Sequence, residues 1–348
     1  MVIIGVDSHK RTHTVVAVDG NGRKLAEKTV ATSPDGHLEL VRWARRWRER
    51  TWALEDCRQL TRRLEGDLLR TGARVVRVPP KLMAGARRSA REPGKSDPID
   101  ALAVARAALR EPNLPTASLD GVERELRLLV DHREDLIADR TAHQARLRWF
   151  LVELGIVEPP ARTLGRTNVL DDLGRQLADR PEFAARISRD LLARIRELTS
   201  AINDLEQEIR RRTAAIAPTL LALPECGHLT AAKLVGETSG IGRFRSRAAF
   251  ANHNGTAPIP VWSGNLVRHR LNPGGNRQLN AALHRIAVTQ LRGPGGGREY
   301  VARRMAAGDT KLEAIRALRR RISDEVFRRL QRDEALRASL PAGLRAAA

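Results

Sequence analysis

The chain has 348 residues, enough for two or three domains with hydrophobic cores of their own, and 42% of them are apolar. Its 62 lysines and arginines against 41 aspartates and glutamates leave a net charge of +21, which sets it apart from an ordinary metabolic enzyme and implies a polyanionic partner, nucleic acid first. Aromatics at 3%, with Tyr300 the single tyrosine, argue against base stacking as the main mode of recognition, and two cysteines, Cys57 and Cys226, exclude a disulfide framework.

In chain order, Val2 to Val6 reads as a buried strand, Thr12 to Asp19 as a second, Gly20-Asn21-Gly22 as a hairpin turn and Lys24 to Val30 as a third. Pro34 to Arg50 has helical periodicity, Trp52 to Leu54 is a short apolar strand, Arg58 to Thr71 is helical and stops at Gly72, and Val75 to Val78 is a strand stopped by Pro79-Pro80. Closed by a helix after Pro98, this order is that of the ribonuclease H-like fold, and the carboxyl ends of its parallel strands are the natural site. The opening strand is too short for the core of a signal peptide and no stretch approaches membrane-spanning length, so a cytoplasmic, nucleoid-associated protein is expected.

The run from Arg87 to Lys95 has no periodicity and reads as a basic loop. Arg87, Arg88, Arg91 and Lys95 are its candidate phosphate contacts, beside the alternative of a solvated charge run. From about 119 to 212 the chain is helical. Leu191, Ile195, Leu198, Ile202, Leu205 and Ile209 alternate by four and three, the spacing of a coiled-coil seam, and the sequence leaves open whether its partner is an earlier helix of the same chain or a second copy. Residues 156 to 186, with Pro159-Pro160, read as the connection. From Pro218 on, Leu223 to His228 followed by Leu229 to Val235 reads as a helix-hairpin-helix whose Gly227 turn offers main-chain N–H groups to a phosphate. The segment Gly255 to Gly275 reads as a Pro-, Gly- and Asn-rich loop, with helix resuming at about Arg277.

Four acids carry the chemistry. Asp7 and Glu55 end apolar strands, where a carboxylate is costly without a partner, and Asp97 and Asp100 open a helix. Two Mg²⁺ ions roughly 3.5–4 Å apart require hard oxygen ligands from several elements, and strand ends plus a helix start supply them. Ser96-Asp97-Pro98-Ile99-Asp100 has the alternative reading of a helix cap with Asp97 at N-cap. Asp56 alternates to the opposite face from Glu55 and stands outside the site, and the nine histidines, none in a zinc spacing, read as surface or packing residues. Ser263 reads locally as a turn residue, but Arg268, Arg270 and the Gly274-Gly275-Asn276-Arg277 run surround it with groups that bind phosphate.

Gly5-Val6-Asp7-Ser8-His9-Lys10, Leu54-Glu55, Lys95 to Ala101, Leu223 to Gly227, Trp262-Ser263-Gly264 and Gly275-Asn276-Arg277 together resemble the DEDD insertion-sequence transposases. The resemblance implies a RuvC-like catalytic domain over 1–112, a helical coiled-coil linker and dimerisation region over 113–215, and a mainly helical C-terminal transposase domain over 216–348. It further implies that Asp7, Glu55, Asp97 and Asp100 bind Mg²⁺ or Mn²⁺, that Ser263 is a nucleophile forming a phosphoserine link to DNA, and that a structured guide RNA pairs with donor and target DNA. The chain is then expected to work as a dimer or tetramer, with Ser263 and the acid cluster contributed by different subunits. Asp56 and His253-Asn254 depart from the family's usual pattern, and the second departure puts the geometry of the Gly255 loop in question. Two rivals stand beside this reading: a junction-resolving nuclease that uses water and forms no protein link, and an architectural nucleic-acid binder.

Overall fold

The computed structural model describes residues 1–55, 60–79, 82–83, 96–111, 114–117, 121–160, 162–263, 266–270, 272–293 and 296–339. They fall into two units, 1–120 and 121–348. In the second unit the long helices before residue 216 share a core with the helices after it.

In the first unit β1 (Val2–Ser8), β2 (Thr12–Val18) and β3 (Lys24–Ala31) precede α1 (Pro34–Ala44), β4 (Arg50–Glu55), α2 (Arg62–Arg70), β5 (Val75–Val78) and α3 (Asp97–Arg110). The sheet order is β3-β2-β1-β4-β5. β1 and β2 pair antiparallel, as do β2 and β3, whereas β1 with β4 and β4 with β5 are parallel. That is the ribonuclease H-like arrangement expected. Strand alternation divides the core into two layers. Ile4, Val6 and Leu54 pack with Leu40 of α1 and Leu64 and Leu68 of α2, while Ile3, Ala53 and Val76 pack with the alanines of α3 on the other face.

The helix expected to run to Arg50 ends at Ala44. Its amphipathic period does continue, but the main chain of Arg50 is the ladder partner of Val2 and so must be extended. Between them the chain folds back on Trp43 and Trp47, whose rings meet edge-on at 4.8 Å with the Arg46 guanidinium over both.

The second unit holds α4 (Val122–Glu153), α5 (Thr167–Leu177), α6 (Phe183–Ile216), the single turn α7 (Pro218–Leu221), α8 (His228–Thr238) and α9 (Arg247–His253). After these come β6 (Ile259–Ser263), β7 (Leu266–Arg270), α10 (Arg277–Arg292), α11 (Gly297–Ala306) and α12 (Lys311–Ser339). Two expectations are corrected here. The 156–186 connection contains α5, whose Leu170, Leu173 and Leu177 fill a core with Leu147 and Leu151 of α4. The Gly255–Gly275 loop contains an antiparallel hairpin, in which Ile259 pairs with Arg270 and Ser263 with Leu266. Its Pro and Gly content masks two strands of only five residues each.

The seam of α6 is buried inside the chain. Ile195, Leu198, Ile202 and Ile209 face α4, and Arg133 and Arg212 tie the pair together through Glu206 and Glu125. Further along, Leu126, Val130, Ile209 and Ile216 enter the same core as Leu234, Phe250, Leu283 and Val326. Leu198 and Ile202 are only 3% and 1% exposed within one chain. Replacing both with Asp would strand two unpaired charges there at a cost of several kcal/mol, about the stability of a domain. The expected result is loss of helical signal in circular dichroism; a folded variant of lower mass by light scattering would instead place the seam against a second copy.

Candidate metal centre and serine hairpin

The odd-numbered residues of β1 face α3, and the strand meets that helix at Gly5. A Cβ on Gly5 would lie 2.2 Å from the Ala101 carbonyl oxygen and 2.5 Å from the Ala105 nitrogen. Only glycine lets helix backbone sit this close to a strand. The consequence appears two residues along β1 and one turn earlier on α3: Asp7 lies on the face of Ile3 and Gly5, and Asp97 and Asp100 lie at the helix start on the side of Ala101. Val6 is paired with Leu54, so the next residues, Asp7 and Glu55, stand at neighbouring positions on adjacent parallel strands and share a face.

Asp7 is 5% exposed and Asp100 7%, while half of the Asp97 side chain is in solvent. His9, just past β1, inserts between two of the acids, its Nε2 lying 3.0 Å from Asp7 Oδ2 and 3.3 Å from Asp97 Oδ1. One ligand atom each of Asp7, His9 and Asp97 lies within 4.8 Å of the others. Burial pushes the Asp7 carboxyl above its ordinary range, and Asp100 and Asp97 add to the rise against the lowering by His9. Burial also opposes the charged form of His9, but Asp7 and Asp97 outweigh it and hold the imidazole above its usual value.

These residues fit a divalent metal. Asp7 meets His9 and lies within the electrostatic reach of Asp100 and Asp97, Glu55 ends the neighbouring strand, and burial with those two acids raises the Asp7 carboxyl. The donors are hard oxygens, which suit Mg²⁺ or Mn²⁺ rather than a thiophilic ion. Asp97 is not the helix cap: Ser96 occupies that position with extended backbone, and Asp97 is already in the first turn. His9 is a surface residue, as read from the sequence, but its Nε2 also meets Asp7 and Asp97. Its signal was its position two residues after Asp7, which on a strand continuation returns to the same face.

Two family models match the chain and together span more than half of it. Residues 4–156 match the DEDD transposase model of the IS110 group, described as Transposase, and residues 217–302 match Transposase IS116/IS110/IS902 family. The chain belongs to this family of insertion-sequence transposases. It is similar to the "Insertion element IS116 uncharacterized 44.8 kDa protein" of Streptomyces clavuligerus, 28% identical across 97% of this chain and 96% of that protein. It is also similar to the "Insertion element IS900 uncharacterized 42 kDa protein" of Mycobacterium paratuberculosis, 26% identical across 91% of this chain and 92% of the relative. Among solved structures, T. thermophilus RuvC in complex with Holliday junction substrate matches 32% of the chain and 94% of its own at 20% identity and a TM-score of 0.26. A likeness of that size adds nothing to the strand order.

In the second unit of the transposase, Ser263 closes β6 at the turn of the hairpin. Its side chain and that of Arg268 lie outside the described residues, as do Arg87, Arg88, Arg91, Lys95, Asp56 and Cys57. The hairpin is anchored at its base. Asn254, fully buried, donates to Ser323 Oγ at 2.8 Å and accepts from the Thr256 main-chain N–H and hydroxyl at 3.1 and 2.7 Å. Gly255 has φ +73°, and a Cβ on Gly275 would meet its nitrogen at 2.2 Å. Asn254 thus ties the base of the hairpin to α12 through Ser323.

Arg270 and Arg277 are exposed and free to reach a phosphate. Asn276 is not: its Oδ1 accepts from the N–H groups of Gln278 and Leu279 as the cap of α10, and its Nδ2 donates to Glu237 at 2.7 Å. Gly227 caps α8 with open space beside it, but the left-handed residue of that turn is Glu225, at φ +63°. The helix before the turn is the four-residue α7, so the helix-hairpin-helix is shorter than expected. Cys226 is buried as expected, its thiol pushed up to about 12 by burial. No helix among the described residues is long and apolar enough to cross a membrane.

Proposed function

We propose that this transposase cuts and rejoins DNA strands with a divalent-metal centre on Asp7, Glu55, Asp97 and Asp100 and with Ser263 as nucleophile. The observation that carries the reading is the buried Asp7 carboxyl, raised by burial and by two further acids, on the strand-end face of a ribonuclease H-like sheet. Bound to those oxygens, Mg²⁺ or Mn²⁺ supplies polarisation of a scissile phosphate and neutralises the charge that develops on it. The main chain of β1 and the start of α3 hold Asp7, Asp97 and Asp100 in place before substrate arrives, so their orientation costs nothing during reaction.

The serine reaction is an exchange of esters. A bond forms from Ser263 Oγ to phosphorus as the bond from phosphorus to a deoxyribose oxygen breaks; the hydroxyl proton is released and the leaving oxygen gains one. The phosphoserine ester keeps the bond's energy, and attack by a second DNA hydroxyl rejoins the strand and restores the serine. Arg268 stands on the facing strand opposite Val261, two positions from Ser263, where it would stabilise phosphate charge, whereas Arg270, opposite Ile259, lies at the base of the hairpin. A structured guide RNA selects sequence by base pairing, in keeping with a basic, aromatic-poor chain suited to backbone contacts. The working unit is a homo-oligomer, dimer or tetramer.

Mass spectrometry of protein trapped on a nicked suicide substrate tests the serine. Wild-type protein is expected to yield a nucleotide-bearing peptide containing Ser263, and Ser263→Ala to retain DNA and Mn²⁺ binding while losing both adduct and recombination. Efficient cleavage by Ser263→Ala with free 5′-phosphate ends would instead identify a junction nuclease that uses water.

A further inference from the structure

A cavity of about 590 Å³ lies in the second unit between the base of the β6–β7 hairpin and α12. Arginines line it from both sides, and several are already matched: Arg304 pairs with Asp309, Arg316 with Glu313 and Arg320 with Asp324. Arg319, Arg270 and Arg321 are not. Among the described residues no carboxylate forms an ion pair with any of the three.

Arg319 is the most telling. It is 9% exposed, its Nη1 donates to Asn280 Oδ1 at 3.0 Å, and its Nε–H is buried with no acceptor. A guanidinium removed from water without a counter-charge is expensive, several kcal/mol even after relaxation, unless an anion completes the site. Burial lowers its pKa, and Arg316 lowers it further. Arg321 lies 4.7 Å over the Tyr300 ring, which leaves its N–H edge for an acceptor. Arg270 ends the hairpin on the same wall.

We propose that this cavity binds a backbone phosphate of nucleic acid, with Arg319 as the buried anchor and Arg270 and Arg321 as its outer clamps. A phosphate accepts the forked N–H pairs that arginine presents. The hairpin supplies the reason for nucleic acid over a free anion. Its base opens on the cavity and its turn carries Ser263, roughly 13 Å away at ~3.3 Å per residue, so one strand could meet both. The proposal rests on the reading of the chain as a DNA-acting transposase.

The test is fluorescence anisotropy of the full chain with a labelled single-stranded DNA of about 20 nucleotides, titrated with NaCl in EDTA so that no cleavage is required. Losing one phosphate contact lowers the slope of log affinity against log salt by about 0.7 on a single strand and the affinity at 0.15 M salt by about fourfold. Arg319→Gln is expected to show both and Arg319→Lys to recover most of the affinity. Folded Arg319→Gln with unchanged slope overturns the proposal. Should Arg319→Gln not fold, the exposed Arg270→Gln replaces it, and the same unchanged slope is decisive. A thermal shift with inorganic phosphate that depends on Arg319, without any change in DNA slope, would assign the cavity to free phosphate and also overturn it. Wild-type protein that cuts no DNA in Mg²⁺ but shows the Arg319-dependent slope would sink the transposase mechanism and leave the cavity standing.

Discussion

Asp7→Asn and Asp100→Asn are each expected to abolish metal-dependent strand cleavage, by at least about a thousandfold, while the metal-free variants melt no lower than wild type. A metal centre contributes several kcal/mol of charge stabilisation in the transition state, and each 1.36 kcal/mol is about tenfold in rate. The effect on folding runs the other way. Folding raises the Asp7 carboxyl, so burial and the neighbouring acids penalise its charged form relative to the unfolded chain, and a neutral amide removes that penalty together with the repulsion from Asp100 and Asp97. Loss of activity without loss of stability separates a ligand from a structural carboxylate. Cleavage assays with Mg²⁺ and Mn²⁺, together with Mn²⁺ binding followed by electron paramagnetic resonance, provide the readouts. Wild-type cleavage by the double variant would remove the acids from the mechanism.

Gly5→Ala is the second large effect, and it arises away from any charged group. The added methyl would fall 2.2 Å from a backbone oxygen and 2.5 Å from a backbone nitrogen of α3, so no side-chain rotation relieves it and the helix itself must retreat. Overpacking of this kind costs about 1–3 kcal/mol. The helix start carries Asp97 and Asp100, and a displacement of about 1 Å at a reacting centre costs about a hundredfold. Gly5→Ala is therefore expected to remain folded by circular dichroism, melt at lower temperature, and cut DNA about a hundredfold more slowly at temperatures where it is fully folded. Cleavage at the wild-type rate by the folded variant would show that α3 does not position the acids.

Much of the first unit was legible because its signals are local. Three strands with period-two or continuous apolar pattern, a Gly-Asn-Gly turn and Pro-stopped ends need no knowledge of distant partners, and with the order of elements they suffice for the sheet. The end of α1 was not legible, since Arg50 leaves the helix only to pair with Val2, a partner 48 positions away in the chain. The hairpin of the second unit was hidden for a related reason: Pro260 and the glycines around it report turns, and strand pairing is a property of two segments together.

The candidate site divides in the same way. Asp7, Glu55, Asp97 and Asp100 could be chosen from sequence because a carboxylate at the end of an apolar strand or at a helix start is a local anomaly whose cost demands an explanation. The guide RNA entered through resemblance alone, and Ser263 mainly so, its local signal being only the arginines around it. That His9 bridges Asp7 and Asp97, that Asn276 is occupied as a cap by Glu237 and its own helix, that α6 lays its seam on α4, and that Arg319 is buried facing a cavity were decided only by tertiary packing. Sequence alone determined the kinds of charge this protein carries and the local elements that bear them. Which charges meet, and which remain without a counterpart, depended on distances between segments far apart in the chain, and those distances are set by close approaches such as that of Gly5 to Ala101.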